Sequence, residues 1–320
     1  MKRFVFLLVG VVLVCALWSG GWIYASGYIR GEVEKLALAD GQTAPKVTCG
    51  GLNIGGFPFR FDLECTQASI VSADTQIDIA AVRASILVYR PNHVIASALS
   101  PATVADAFTG SRQQLDWEGL QASLRTDWFK LARVSLVTDG LKVSDALFGM
   151  APVVQAAHLE AHLVDLPEEA EPPHANLALY VNATDLDAPS QAVSGGQVQI
   201  EAHLNKLPDD IRQLAAPNLL ADWQAAGGTL EIVDVAASDA NATLSARGEL
   251  ALDDGAALNG TLAVTSTGLA ERFGTMIEEP WRTITLGSQA PDGSYTQNLT
   301  LRRGVILAGI LPVAVIPPLY

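Results

Sequence analysis

Phe4 to Ile23 form an apolar run without a charged residue, directly behind Lys2 and Arg3. About 20 apolar residues are what a helix needs to cross a bilayer, so the pattern predicts a membrane span over residues 4–23. A cleaved signal peptide is the competing reading, but its apolar region is usually only ~7 to 15 residues long. Trp18, Trp22 and Tyr24 lie near the far end of the run, where aromatic side chains mark the interface of a retained anchor. By the positive-inside rule Lys2 and Arg3 stay in the cytoplasm, which sends the chain after Tyr24 out of it. Cys15 follows Val14 rather than the small residue a lipoprotein cleavage site wants, and reads as an ordinary apolar position. Ile29, Val33, Leu36 and Leu38, set among Glu32, Glu34 and Lys35, predict that a helix continues outward between Gly27 and Ala44.

Beyond Ala44 the period changes to two. From Cys49 to Cys65 two apolar arms flank a Gly-Gly-Phe-Pro turn, and on the far arm Phe59, Phe61, Leu63 and Cys65 alternate with Arg60, Asp62 and Glu64. That is the period of a half-buried strand with the apolar set facing inward. Glycine supplies a positive φ and Pro58 constrains Phe57, so a hairpin is expected. Ser69 to Ala98 alternates at Ile77, Ile79, Ile86 and Val88, with Arg90-Pro91-Asn92 as a break. Thr103 to Thr109 reads as a short helical turn. Gln113 to Arg125 and Phe129 to Val143 alternate again, with Asp139-Gly140 as a turn.

Glu160–Pro167 (EAHLVDLP) returns as Glu201–Pro208 (EAHLNKLP), which predicts a recurring strand that ends at a proline. Pro167 to Pro173 (PEEAEPP) is the acidic, proline-rich break between them. Asp209 or Asp210 caps a helical segment toward Ala226, interrupted at Pro217 and ended by Gly227-Gly228. Thr229 to Thr267 is a meander with Asp254-Gly255 as a turn, and Gly268 to Glu278 a short amphipathic helix. Leu299 to Tyr320 reads as a closing strand and an apolar tail packed on apolar surface, because its length and Pro312, Pro317 and Pro318 argue against a second span. The whole pattern predicts a mainly β, β-rich α+β chain: an N-terminal transmembrane helix, then extended, curved antiparallel sheets with a few short helices. The regions expected are an anchor (1–27), an N-terminal β-rich region carrying the Cys49/Cys65 hairpin (28–170) and a C-terminal β-meander region (171–320), the last two separated softly or continuous as one domain.

Composition narrows the partners. A net charge of −14 and a pI near 4.7 disfavour binding to nucleic acid or to anionic lipid headgroups, since both need a basic patch. Outside the cytoplasm Cys49 and Cys65 are candidates for a disulfide, which an oxidising compartment allows; two buried free thiols are the alternative. In the entropic model, closing a loop of about 15 residues stabilises by ~3 kcal/mol.

Reaction signatures are missing from the sequence. His93, His158, His162, His174 and His203 stand in no HExxH or Cys/His zinc pattern. His158 and His162 on one strand would lie ~13 Å apart, too far to share an ion. There is no G-x-S-x-G elbow, P-loop or dinucleotide glycine fingerprint, and no cofactor is expected. Asp185/Asp187 and Asp253/Asp254 read as solvated turns, and the Asn-x-Thr sites at Asn182, Asn241, Asn259 and Asn298 matter only in a eukaryotic secretory pathway. Phe57, Phe59, Phe61 and Arg60 are the remaining candidates. Aromatics at strand spacing usually mark core, with Arg60 exposed or paired to Asp62 or Glu64. Alternatively they line an apolar cleft with Arg60 at its mouth to meet an anionic headgroup.

The basic start with its single anchor, the hairpin from Cys49 through GGFPFRF to Cys65, and the ending GVILAGILPVAVIPPLY together resemble a bacterial family catalogued as domain of unknown function twenty-one twenty-five. Gly56-Phe57-Pro58-Phe59-Arg60 is the most specific piece, and the likeness covers nearly the whole chain. The resemblance implies a bacterial envelope protein without an assigned activity and transfers no catalytic residues. LSARGELALDDGAALNGTLAV is also similar to repeats of the AsmA-like envelope proteins, whose long curved sheets hold lipid in a groove. The expectation is therefore a single-pass protein of the bacterial inner membrane with its bulk in the periplasm, non-enzymatic, that binds a lipid or another apolar ligand. The alternative is a scaffold or assembly partner of another envelope protein.

Overall fold

The apolar run and the amphipathic stretch behind it form one helix, α1 (Lys2–Leu36), of 35 residues. At 1.5 Å per residue it is ~52 Å long, more than a ~30 Å hydrocarbon core requires. It is the only helix among the described residues that is long and apolar enough to cross a membrane, and none of its apolar window is buried against the protein. The computed structural model describes residues 2–42, 44–167, 170, 172–214, 216–273 and 281–319. Everything after α1 is dominated by antiparallel strands.

Two compact units divide the chain. The first, Met1–Ser123 with Val143–Ala151, holds α1 and the meander β1 (Lys46–Gly55), β2 (Arg60–Ser72), β3 (Thr75–Leu87), β4 (Arg90–Asp106) and β5 (Arg112–Asp116), each paired antiparallel with the next. One row of this sheet is irregular. The ladder skips Gly50 opposite Gln67 and Gln67 opposite Ala80, and the β3–β4 register shifts between Ile79 and Ala81. On β2 both Cys65 and Ala68 are buried, although three positions in a regular strand would put them on opposite faces. Gln67, at φ 51°, takes up the odd residue and keeps the apolar set on one side.

The Cys49–Cys65 disulfide is formed across this irregular row, with a Cα–Cα distance of 5.3 Å. Register pairs Cys49 with Ala68 and Cys65 with Leu52, so the bridge is diagonal. A flat ladder would hold two positions so offset far beyond the reach of a disulfide; the local kink brings them together.

β6 (Gly119–Asp127), β7 (Lys130–Asp145) and β8 (Ala151–Asp165) carry the chain through the division. The second unit, Leu124–Lys142 with Pro152–Tyr320, continues with β9 (His174–Ala188), β10 (Val193–Pro208), α2 (Ile211–Leu214), α3 (Leu219–Ala225), β11 (Thr229–Ser238), β12 (Thr243–Leu252) and β13 (Leu258–Thr267). α4 (Leu269–Phe273), α5 (Trp281–Leu286), β14 (Ser288–Gln289), β15 (Tyr295–Arg302), β16 (Val305–Ala308) and β17 (Leu311–Val315) close it. The two E-A-H-L copies lie on β8 and β10, either side of β9: His162 is opposite Tyr180 and His203 opposite Ala178. The second copy ends its strand at Pro208. Trp223 on α3 closes a core of Leu131, Leu177, Leu207 and Leu252, and its indole Nε1–H donates to the Asn205 carbonyl at 2.8 Å. Gly228 has to be glycine, because a Cβ there would lie 2.0 Å from that indole.

Several local expectations are corrected. The reversal after β3 falls at Val88-Tyr89, and Arg90-Pro91-Asn92 open β4, a position where proline costs no ladder hydrogen bond. Thr103–Asp106 is strand, not helical turn. Asp139-Gly140 lies inside β7, where Gly140 takes φ 62° without ending the strand. Asp185 and Asp187 belong to β9. The C-terminal stretch makes three strands, and Ile310 and Val315 are exposed instead of packed. Of the acidic break, Glu168, Glu169 and Glu171 lie outside the described residues, as do 274–278 of the helix expected to Glu278.

Candidate functional site

The residues that the sequence singles out meet at the end of the first unit where α1 joins the sheet. Gly56, at φ 93°, starts the tip of the β1–β2 hairpin. A Cβ there would come within 2.8 Å of the Arg60 carbonyl, so the turn admits only glycine without a shift. The Arg60 amide donates back to the Gly56 carbonyl at 3.1 Å, and the Val88 amide donates to the Phe59 carbonyl at 3.0 Å. The tip is thus braced by the adjacent β3–β4 turn.

α1 grips this tip with one face. Trp18 and Trp22 are four positions apart and therefore stack on one side of the helix. The Trp18 indole donates to the Pro58 carbonyl at 3.0 Å and the Trp22 indole to the Arg60 carbonyl at 3.1 Å. Two turns further along, Arg30 donates to the Leu52 carbonyl at 3.2 Å. Trp22 stacks on Phe61 (centroids 5.4 Å, 11° between planes) and meets Phe57 edge-on (5.5 Å, 85°), while Trp18 lies 6.3 Å from Phe59. These are the separations at which aromatic pairs gain ≈ 0.5–1.5 kcal/mol beyond area burial.

Such packing does not make the phenylalanines core. Phe57 and Phe59 are 54% and 61% exposed, whereas Phe61 is half-buried; the inward-facing expectation fails for Phe59, which precedes β2 and belongs to the turn. Beside them Leu17, Gly21, Trp22, Ala25, Phe61 and Val88 line an apolar recess of ≈ 220 Å³. Gly21 and Ala25 leave the helix surface bare opposite Phe61, which is why the recess exists. Arg60 pairs through Nε with Asp62 at 2.7 Å, and Ser85 donates to the same carboxylate at 2.7 Å. The sequence identified Trp18 and Trp22 only as an interfacial belt; their four-residue spacing was the available sign of a shared face, but nothing local named the hairpin as its partner.

Other titratable groups are tied into pairs in the second unit. His158 contacts Asp139 at 2.7 Å, His162 contacts Glu160 at 3.2 Å and stacks on Tyr180, and His203 lies 3.7 Å from Glu231. Lys130 binds Asp209 at 2.7 Å and also draws on Asp165, whose carboxyl burial pushes above its ordinary value. Among the described residues no three His, Cys, Asp or Glu side chains are grouped to hold a metal ion.

A long apolar helix whose C-terminal half is clasped by an aromatic hairpin of an antiparallel sheet defines a class: a β-sheet protein built onto a candidate membrane anchor. The chain belongs to the family of uncharacterized proteins conserved in bacteria, DUF2125, whose model matches residues 22–317. No curated protein matches the chain. No solved structure matches it either.

Proposed function

We propose that this protein is a single-pass protein of the bacterial inner membrane, its β units in the periplasm, that binds a lipid or another apolar ligand without chemical transformation. The observation that carries the reading is the apolar recess between α1 and the hairpin. It lies beside Trp18 and Trp22, close to where a helix spanning residues 4–23 leaves the hydrocarbon core, so an acyl chain reaches it without crossing water. The arrangement also supports a retained anchor, because Trp18 and Trp22 hold the hairpin through three ring contacts and two hydrogen bonds that cleavage would remove. The disulfide supports an oxidising compartment. The likeness of residues 244–264 to AsmA-like repeats points the same way.

The test is native mass spectrometry of full-length protein extracted from its own membranes, with photo-crosslinking to a phospholipid carrying a reactive acyl chain. The expected result is a bound lipid or apolar molecule, with cross-links at residues 17–25 and 61 that fall strongly in Trp22→Ala. Protein that carries no ligand and cross-links no more than a detergent-exposed control overturns the reading. Recovery of a protein instead of a lipid would favour the assembly-partner alternative.

A further inference from the structure

We propose that the two turns beside α1, residues 56–59 and 88–89, form a second, monotopic contact with the membrane. Phe57, Phe59 and Tyr89 enter the interfacial layer, and Arg60 and Arg90 sit behind them on headgroup phosphates. This rests on the reading of α1 as a retained anchor.

The placement follows from register. Arg60 is opposite Leu87, and Leu87 is opposite Arg90, so both arginines stand in one row across three strands, ~10 Å apart at the usual strand spacing. Only the turns lie beyond that row. Phe57, Phe59 and Tyr89 are all more than half exposed there, and Phe57 and Phe59 are contiguous with Trp18 and Trp22 through the ring contacts already described. Exposed aromatic patches of this kind mark interaction surfaces, and aromatic rings favour the headgroup level.

Charge agrees with the same partner. The chain carries −14 overall, yet the leading row offers two exposed cations, and the first carboxylate behind it, Asp62, is already bound by Arg60 and Ser85. Arg60 is held on its Nε edge only, with 60% of the side chain exposed. A guanidinium so placed matches a phosphate in geometry as well as charge. The occupant is the lipid surface itself, because the patch is continuous with the helix that enters it. The net acidity of the chain does not oppose this, since two cations at the surface act locally within a Debye length of ~8 Å.

The experiment uses the full chain in vesicles of phosphatidylcholine, with and without phosphatidylglycerol. An environment-sensitive thiol probe is attached to native Cys15 and, in a Cys15→Ser background, to Phe59→Cys, Tyr89→Cys or Phe108→Cys, with Cys49–Cys65 confirmed intact by mass spectrometry. Phe108 is exposed at the other end of the same unit, past the far end of β4. Spin-labelled lipids should quench Cys15 from deep positions. Shallow labels should quench positions 59 and 89 several-fold more than position 108, and more strongly with phosphatidylglycerol present. Quenching at 59 and 89 equal to that at 108, with Cys15 still quenched, overturns the inference and spares the anchor. No quenching at Cys15 overturns both. Arg60→Gln with Arg90→Gln should abolish the phosphatidylglycerol increment; an unchanged increment removes the arginines from the contact.

Discussion

Trp22 and Trp223 do the same thing locally and opposite things globally. Each sits on a helix and donates its indole N–H to a strand carbonyl, Trp22 to Arg60 and Trp223 to Asn205. Trp223 is 7% exposed and surrounded by leucines; its ring completes a core. Trp22 is half-buried against Phe57 and Phe61, and Phe57, with Phe59 beside Trp18, stays open. A hydrogen-bonded tryptophan is therefore no guide to role. What separates a closed core from an open aromatic cluster is whether further residues cover it.

The comparison can be broken most forcefully at Trp223. Trp223→Ala should destabilise the second unit by about 3–5 kcal/mol, the usual loss for a buried large aromatic, measured by denaturant unfolding of the full chain in detergent. A loss below about 1 kcal/mol would mean that α3 is not part of the core. Cys65→Ser comes next, at about 2–4 kcal/mol, and should loosen the hairpin while α1 still partitions into membranes. Hydrogen exchange at residues 46–72 and membrane fractionation read the two halves of that statement separately.

Trp22→Ala should cost less stability than either, about 1–2 kcal/mol, from the lost ring pairs and one hydrogen bond on a half-open site. Its larger effect should be on ligand cross-linking, a reversal of the Trp223 pattern that would sharpen the distinction. The smallest effect concerns Asp239, whose carboxyl the Arg272 guanidinium, with help from the Asn241 and Ala242 amides, holds below its ordinary value. The folded value is the lower one, so the stabilisation is complete above the ordinary carboxylate range and is lost as pH falls through the depressed value. Arg272→Gln should therefore move the onset of acid unfolding of the second unit to higher pH, followed by Trp223 fluorescence. An unmoved onset would assign Asp239 to its backbone partners alone.

Patterns with short reach were legible. The hairpin, the helical pair broken at Pro217, and the strands of 229–267 follow from alternation and from the residues that turns demand. Errors arose where one residue type serves two geometries. Asp139-Gly140 has the composition of a hairpin turn, but β7 runs through it and uses the same glycine at φ 62°. Phe59 keeps the period of Phe61 and Leu63, yet it falls one residue before the strand begins and turns outward.

By itself the sequence determined the apolar helix, the change to a two-residue period after it, the cysteine pair and the prolines and glycines that end strands, because each is a property of neighbours along the chain. Tertiary structure alone decided that the helix face carrying Trp18 and Trp22 binds the turn 38 to 40 residues later, that the E-A-H-L copies flank β9, and that Phe57 and Phe59 remain open. Those outcomes depend on which surfaces meet after the strands pair, and periodicity records which face of a strand is apolar without naming what will cover it.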